Sequence, residues 1–205
     1  MRKYIIISII LALFLAFLLP FQFLLNFAHD DSFFYIKTAN NFSKGLGSTF
    51  DGINSTNGYH PLYFIFLVIL FFIPNFLFKS SPEFLYRLVV IFHLLMIIGI
   101  QVFLIKAFRN IYKNDFKKTK LILLFTLFSS FVFIRDFGLE SHLACLIISI
   151  FLYIKSKELI TGENNILLKS FLIASLLLSR TDYLFSIIPL LLIFDFYLSS
   201  KRKKY

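Results

Sequence analysis

HDDSFFYIKTANNFSKGLGSTFDGINSTNGYHPLY, from His29 to Tyr63, is the one long polar stretch in an otherwise oily chain. An apolar run ends just before it and another begins as it closes. Two adjacent carboxylates, Asp30 and Asp31, open the stretch, and Asn57-Gly58-Tyr59-His60-Pro61 ends it. Polar and ionisable residues gathered where a first apolar run stops read as a site placed at a membrane surface.

The rest of the chain agrees with that setting. Its 205 residues are 59% hydrophobic and 20% aromatic, without Trp. Water would have to cover too much apolar surface for this to be a soluble domain, so the fold class is all-α, a polytopic integral membrane protein with residues 1–205 as one membrane domain. The net charge of +10 would point to nucleic acid in a soluble protein. Here it is a topology signal, and no nucleic-acid partner is expected. The single cysteine, Cys145, excludes an internal disulfide and a Cys-based metal cage, and reads as a small apolar residue in a helix. Met1-Arg2-Lys3 followed by apolar residues through Leu25 has the basic flank of a secretory signal. The run is too long for an h-region and lacks small residues at a cleavage point, which makes it an uncleaved first span.

Apolar runs cover residues 4–25, 62–78, 84–105, 121–134, 143–154, 166–179 and 183–198. If all crossed the membrane, the cluster Lys106, Arg109, Lys113, Lys117, Lys118 and Lys120, the pair Lys155 and Lys157 and the tail Lys201-Arg202-Lys203-Lys204 would lie outside while Arg2 and Lys3 lay inside. Segment 62–78 is the one to remove. At ~1.5 Å per residue it reaches about 25 Å against a hydrocarbon core of about 30 Å, and Pro74-Asn75 stands near its end. Read as a juxtamembrane or re-entrant segment, it leaves about six transmembrane helices plus outer-face juxtamembrane helices. The N-terminus is then cytoplasmic, and residues 26–83 form the first extracytoplasmic loop. Only Lys37, Lys44, Lys79, Arg87, Arg135 and Arg180 remain off the cytoplasmic side.

Within that loop, Asp30-Asp31-Ser32 followed by Tyr35, Ala39 and Phe42 at helical spacing predicts a short helix lying on the membrane, with Gly45 as its stop. Gly47, Gly52 and Gly58 mark turns. The chain has neither an internal repeat nor a Gly-rich phosphate loop. The topology gathers ionisable groups on the outer face: Asp30, Asp31, Asp51 and His60; Arg135, Asp136, Glu140 and His142 in RDFGLESH; Arg180 and Asp182 in SRTD. Charged groups at a bilayer edge are costly and mark function by default. Asp30 and Asp31 also suit the plain role of helix caps, since carboxylates gain about 0.3–1 kcal/mol at a helix N-terminus. The same ionised carboxylates can accept a proton from a hydroxyl or hold a divalent cation. Arg180 and Asp182, two apart, would point to different faces of a helix and need not pair. His93 and Gln101 read as polar packing groups within a span, and Asp195 as a solvated residue near the basic tail.

Asp30-Asp31 just after the first span, FDGINSTNGYHPLY downstream of it, Gly138-Leu139-Glu140 and SRTD at 179–182 together resemble the multi-span GT-C glycosyltransferases, the superfamily of protein O-mannosyltransferases and lipid A aminoarabinose transferases. The resemblance covers nearly the whole chain, and TNGYHPLY is its most specific part. Those enzymes have a first outer loop with membrane-hugging helices, the arrangement that charge counting requires here. The resemblance implies transfer of a sugar from a polyprenyl-phosphate carrier to a hydroxyl acceptor at the extracytoplasmic face of the plasma (inner) membrane. Asp30 and Asp31 match the acidic motif, one acting as general base. His60 would sit near the donor phosphate, with Tyr59, Glu140, Arg180 and Asp182 as further substrate-binding residues. Basic and hydrogen-bonding groups stabilise the charge that develops on a phosphate leaving group, and no nucleotide pocket is needed.

Family members are usually more than twice this length, so the expectation is an N-terminal core: a fragment, a shortened relative, or a module that needs a partner. The rival reading is a non-catalytic module that holds polyprenyl phosphate. A transporter should show inverted repeats and helices interrupted at mid-membrane, and neither stands out.

Overall fold

The computed structural model describes residues 2–78, 80–112 and 136–202, whose regular elements are all helical. The apolar run 121–134, the basic residues Lys79, Lys113, Lys117, Lys118, Lys120, Lys203 and Lys204, and Arg135 lie outside the described residues. The chain forms two compact units.

The first unit comprises residues 1–98 and 131–142. It opens with α1 (Arg2–Leu18) and α2 (Phe21–Leu25), so the run 4–25 is two helices rather than the single span expected from hydropathy. Pro20 makes the break, because it has no N–H to continue the ladder and its extended ψ of 139° turns the chain. The carbonyls left at the end of α1 are taken by one half-buried cation. Arg87 Nη1 donates to Ala16 O at 2.6 Å and Leu19 O at 3.0 Å, while Glu83 holds the other edge of the guanidinium at 2.8 Å. Arg87 comes from α5 (Pro82–Ile111), which begins with Ser81 Oγ accepting the Phe84 N–H and with Pro82 and Glu83 in the first turn. Ala16, Leu24, Tyr86, Val90 and Phe137 pack as a core beneath this junction, and Tyr86 donates its hydroxyl to Leu24 O.

Helix α3 (Asp30–Ser43) forms where its spacing predicts, and Gly45 follows with a φ of 80°. Its buried face, with Tyr35, Thr38 and Ala39, lies against α4 (Pro61–Phe78), which contributes Tyr63, Phe64, Leu67 and Phe71. The two helices run in the same sense. Tyr35 meets Tyr63 edge-on at 5.3 Å near their starts, and Asn75 Nδ2 donates to Asn40 Oδ1 (2.9 Å) and Ser43 Oγ (2.6 Å) near their ends. The outward side of α4, including Ile65, Ile69, Phe72, Ile73 and Phe76, is exposed and wholly apolar.

The second unit comprises residues 99–130 and 143–205. It holds the later part of α5, most of α6 (Ser141–Thr161), α7 (Ile166–Ser179), a 3₁₀ turn (Thr181–Leu184) and α8 (Ile187–Arg202). Gly99 admits the close packing of Leu146, whose Cδ1 would stand 2.9 Å from any added Cβ. Lys106 lies over the ring of Tyr153, and Asn110 donates to Ser156 Oγ. Four charges close a ring between α6, α7 and α8. Lys155 Nζ meets Asp195 Oδ1 at 2.7 Å, Asp195 meets Lys169 Nζ at 2.8 Å, Lys169 meets Glu158 Oε2 at 3.0 Å, and Glu158 returns to Lys155 at 3.6 Å. Glu158 Oε1 also accepts the Asn165 N–H that opens α7. Asp195 is therefore an ion-pair partner, not the solvated residue its place near the tail suggested. Lys155 and Lys169, both buried, have their charge compensated within the protein, so the cytoplasmic bias read from sequence rests on the other basic residues.

Among the described residues, three segments are long and apolar enough to cross a membrane: Pro61–Phe78, Pro82–Ile111 and Thr181–Ser199. Residues 3–18 and 166–179 form shorter apolar helices. With 18 residues, α4 is about 27 Å long at ~1.5 Å per residue, close to a hydrocarbon thickness.

Candidate functional site

The site of the first unit is built on the start of α3. His29 is the N-cap, extended at φ −80° and ψ 149°, and its Nδ1 accepts the Asp31 N–H at 3.3 Å. This corrects the capping role considered for the two aspartates. They occupy the first turn, both exposed, beside the amides that open the helix. The next residue, Ser32, is fully buried and fixes what this turn faces. Gly138 comes so close that a Cβ on it would lie 2.3 Å from Ser32 Cβ, and its φ of 92° suits glycine alone. Ala28 and Phe137 pair in a parallel bridge beside this contact. The acidic pair and the Gly138-Leu139-Glu140 turn, more than a hundred residues apart in sequence, thus adjoin.

Glu140 is buried, and its Oε1 stands 3.8 Å from His60 Nε2, an ion-pair separation whenever the imidazole is protonated. His60 is held by its own backbone N–H, which donates to Tyr35 Oη at 3.1 Å, and its ring keeps a partly exposed edge. Beneath the pair runs a buried polar chain. Tyr63 Oη lies 2.8 Å from His93 Nε2, the Gly138 N–H donates to the same nitrogen at 3.1 Å, and His93 Nδ1 lies 3.0 Å from His142 Nδ1. His93 is thus the polar packing group read from sequence, hydrogen-bonded to residues of two other helices. An ionisable residue inside an apolar helix was the available signal.

The other candidates divide. Tyr59 stacks on Phe64 at 3.8 Å and shares a hydrogen bond with Ser48, which closes the loop over the start of α4. Asp51 shapes the loop turn. Its Oδ1 accepts from the Ile53 and Asn54 amides at 2.8 Å, and its Oδ2 from Asn54 Nδ2. These bonds, the Ile53 amide first, hold its carboxyl well below the ordinary carboxylate range. Arg180 and Asp182 belong to the second unit and do pair, at 3.1 Å. The expectation of opposite faces assumed a helix, whereas Arg180 is extended (φ −155°, ψ 116°) and Asp182 lies within the 3₁₀ turn that follows it. Among the described residues, no three His, Cys, Asp or Glu side chains gather as metal ligands.

The chain matches no known family model, curated protein or solved structure. Its site sets exposed carboxylates at a helix N-terminus beside a buried acid that faces a half-open imidazole.

Proposed function

We propose that this chain is the core of a GT-C type membrane glycosyltransferase, moving a sugar from a polyprenyl-phosphate carrier to a hydroxyl acceptor at the outer face of the membrane. The observation that carries the reading is the Ser32–Gly138 contact, which sets Asp30 and Asp31 beside the turn bearing Glu140 and, through it, His60. One aspartate takes the acceptor's proton. His60, backed by Glu140, hydrogen-bonds the phosphate as the sugar bond breaks.

The topology proposed with it has about six spans, a cytoplasmic N-terminus and α4 lying in the outer leaflet. Its support is that α4 pairs along its length with polar α3, which carries Asp30, Asp31, Lys37, Asn40 and Asn41 and is too polar to cross hydrocarbon. A divalent cation at the aspartates is compatible with this reading.

The test is transfer of labelled sugar from polyprenyl phosphate in membranes at matched expression. Asp30→Asn or Asp31→Asn should lower the rate ~10²–10⁴-fold, the range for a lost general base, while leaving the fold intact. Full activity in both variants would refute the catalytic role. Binding of polyprenyl phosphate without transfer by the wild type would favour the second reading, a non-catalytic module serving a partner subunit.

A further inference from the structure

We infer that His93 is a positioning residue, which sets Glu140 against His60 by accepting the Gly138 amide proton while directing its own proton to His142. The inference rests on the functional reading above for the importance of Glu140, but its geometry stands independently.

The direction of each proton follows from a single donor. A backbone N–H only donates, so the nitrogen that receives it, His93 Nε2, must present a lone pair. The proton of neutral His93 is then on Nδ1, which lies 3.0 Å from His142 Nδ1 and donates to it. His142 Nδ1 presents a lone pair in turn, and His142 carries its proton on Nε2. Tyr63 donates its hydroxyl to the same His93 nitrogen at 2.8 Å, so a residue of α4 and the amide of the turn share one acceptor. A proton added to His93 would set an N–H against the Gly138 N–H, and one added to His142 Nδ1 would set two N–H groups face to face.

This arrangement answers a specific structural need. Gly138 sits at a φ of 92° against Ser32, a conformation that strands its amide inside the protein. His93, fully buried, is the acceptor that satisfies it. Two residues later the chain delivers Glu140 to His60. Without His93 the turn would hold an unsatisfied buried donor and would relax by moving, carrying Glu140 with it.

The test uses the full chain in lipid nanodiscs and compares His93→Ala with His93→Gln, whose side-chain carbonyl can stand in for Nε2 as acceptor. Amide exchange at Gly138 should quicken about 10-fold in His93→Ala, the effect of one lost buried hydrogen bond, and stay near wild type in His93→Gln. Nitrogen NMR of labelled histidine should find His93 protonated on Nδ1 and His142 on Nε2. Sugar transfer in the same samples should show the donor KM raised about 10-fold in His93→Ala and restored in His93→Gln. Unchanged Gly138 exchange in His93→Ala, or a proton on His93 Nε2, overturns the inference. Equal loss of protection in both variants assigns His93 to packing and overturns it as well. If the wild type transfers no sugar while Gly138 exchange follows the expected pattern, the transferase reading fails and the positioning role holds.

Discussion

Ser32 and Gly138 touch across more than a hundred residues of chain, with no room between them for a methyl group. The contact sets the acidic first turn of α3 against the turn that delivers Glu140, and it needs a residue with no side chain at a positive φ. Gly138→Ala should therefore destabilise the first unit by about 2–4 kcal/mol, summing the left-handed penalty and the overpacking of a close contact. Denaturant titration in detergent micelles measures this, and a change below half a kilocalorie would show that the junction is loose.

Arg87 should matter more than its place on an apolar helix implies. It satisfies carbonyls that Pro20 strands at the end of α1, so Arg87→Met leaves them part-buried and unpaired. The expected loss is about 2–4 kcal/mol, charge-assisted bonds being worth about 1.5–3 each. Pro20→Ala, which lets the helix run on, should reduce the effect of Arg87→Met; thermal unfolding of the two single variants and the double variant checks this.

The ring of Lys155, Glu158, Lys169 and Asp195 holds three helices of the second unit. Lys169→Met leaves two carboxylates facing a single lysine and should cost about 3–5 kcal/mol, as when one partner of a buried pair is removed. Adding Asp195→Leu restores neutrality and should recover at least half of it. A double variant as unstable as the sum of the singles would contradict the closed-ring account.

Asp51 sets a pH dependence whose sign can be worked out. Its folded-state carboxyl is depressed, so its stabilisation of the loop is complete above the ordinary carboxylate value and is lost as pH falls through the lowered folded value. The Ile53 and Asn54 amide signals should accordingly titrate with a midpoint well below the ordinary Asp value of ~3.9. In Asp51→Asn that transition should vanish. A midpoint at the ordinary value would mean that the turn's hydrogen bonds do not form in solution.

Topology is open to direct measurement. In a Cys145→Ser background, a cysteine at Asn54 should react with an impermeant reagent added outside, and one at Lys157 only after the membrane is opened. The reverse pattern would invert the membrane orientation and remove the outer-face site.

Much of this architecture was legible along the chain. Helix α3 and its glycine stop follow from local spacing, and apolar length predicts the long helices, because backbone hydrogen bonding and hydrophobic run length are properties of neighbouring residues. Pro20 carried a legible warning that hydropathy averaging hides: a missing N–H splits a run that composition alone reads as continuous. What sequence could not supply was partnership. His60 facing Glu140, His93 joined to Gly138 and His142, Arg87 serving α1, and Asp195 closing a charge ring are contacts between residues 26 to 80 positions apart, and no periodicity encodes which distant groups will share a buried space. Chain order decided which segments are helices. Tertiary packing decided which polar groups meet, since a buried donor or charge must find a partner, and only the folded chain brings one within reach.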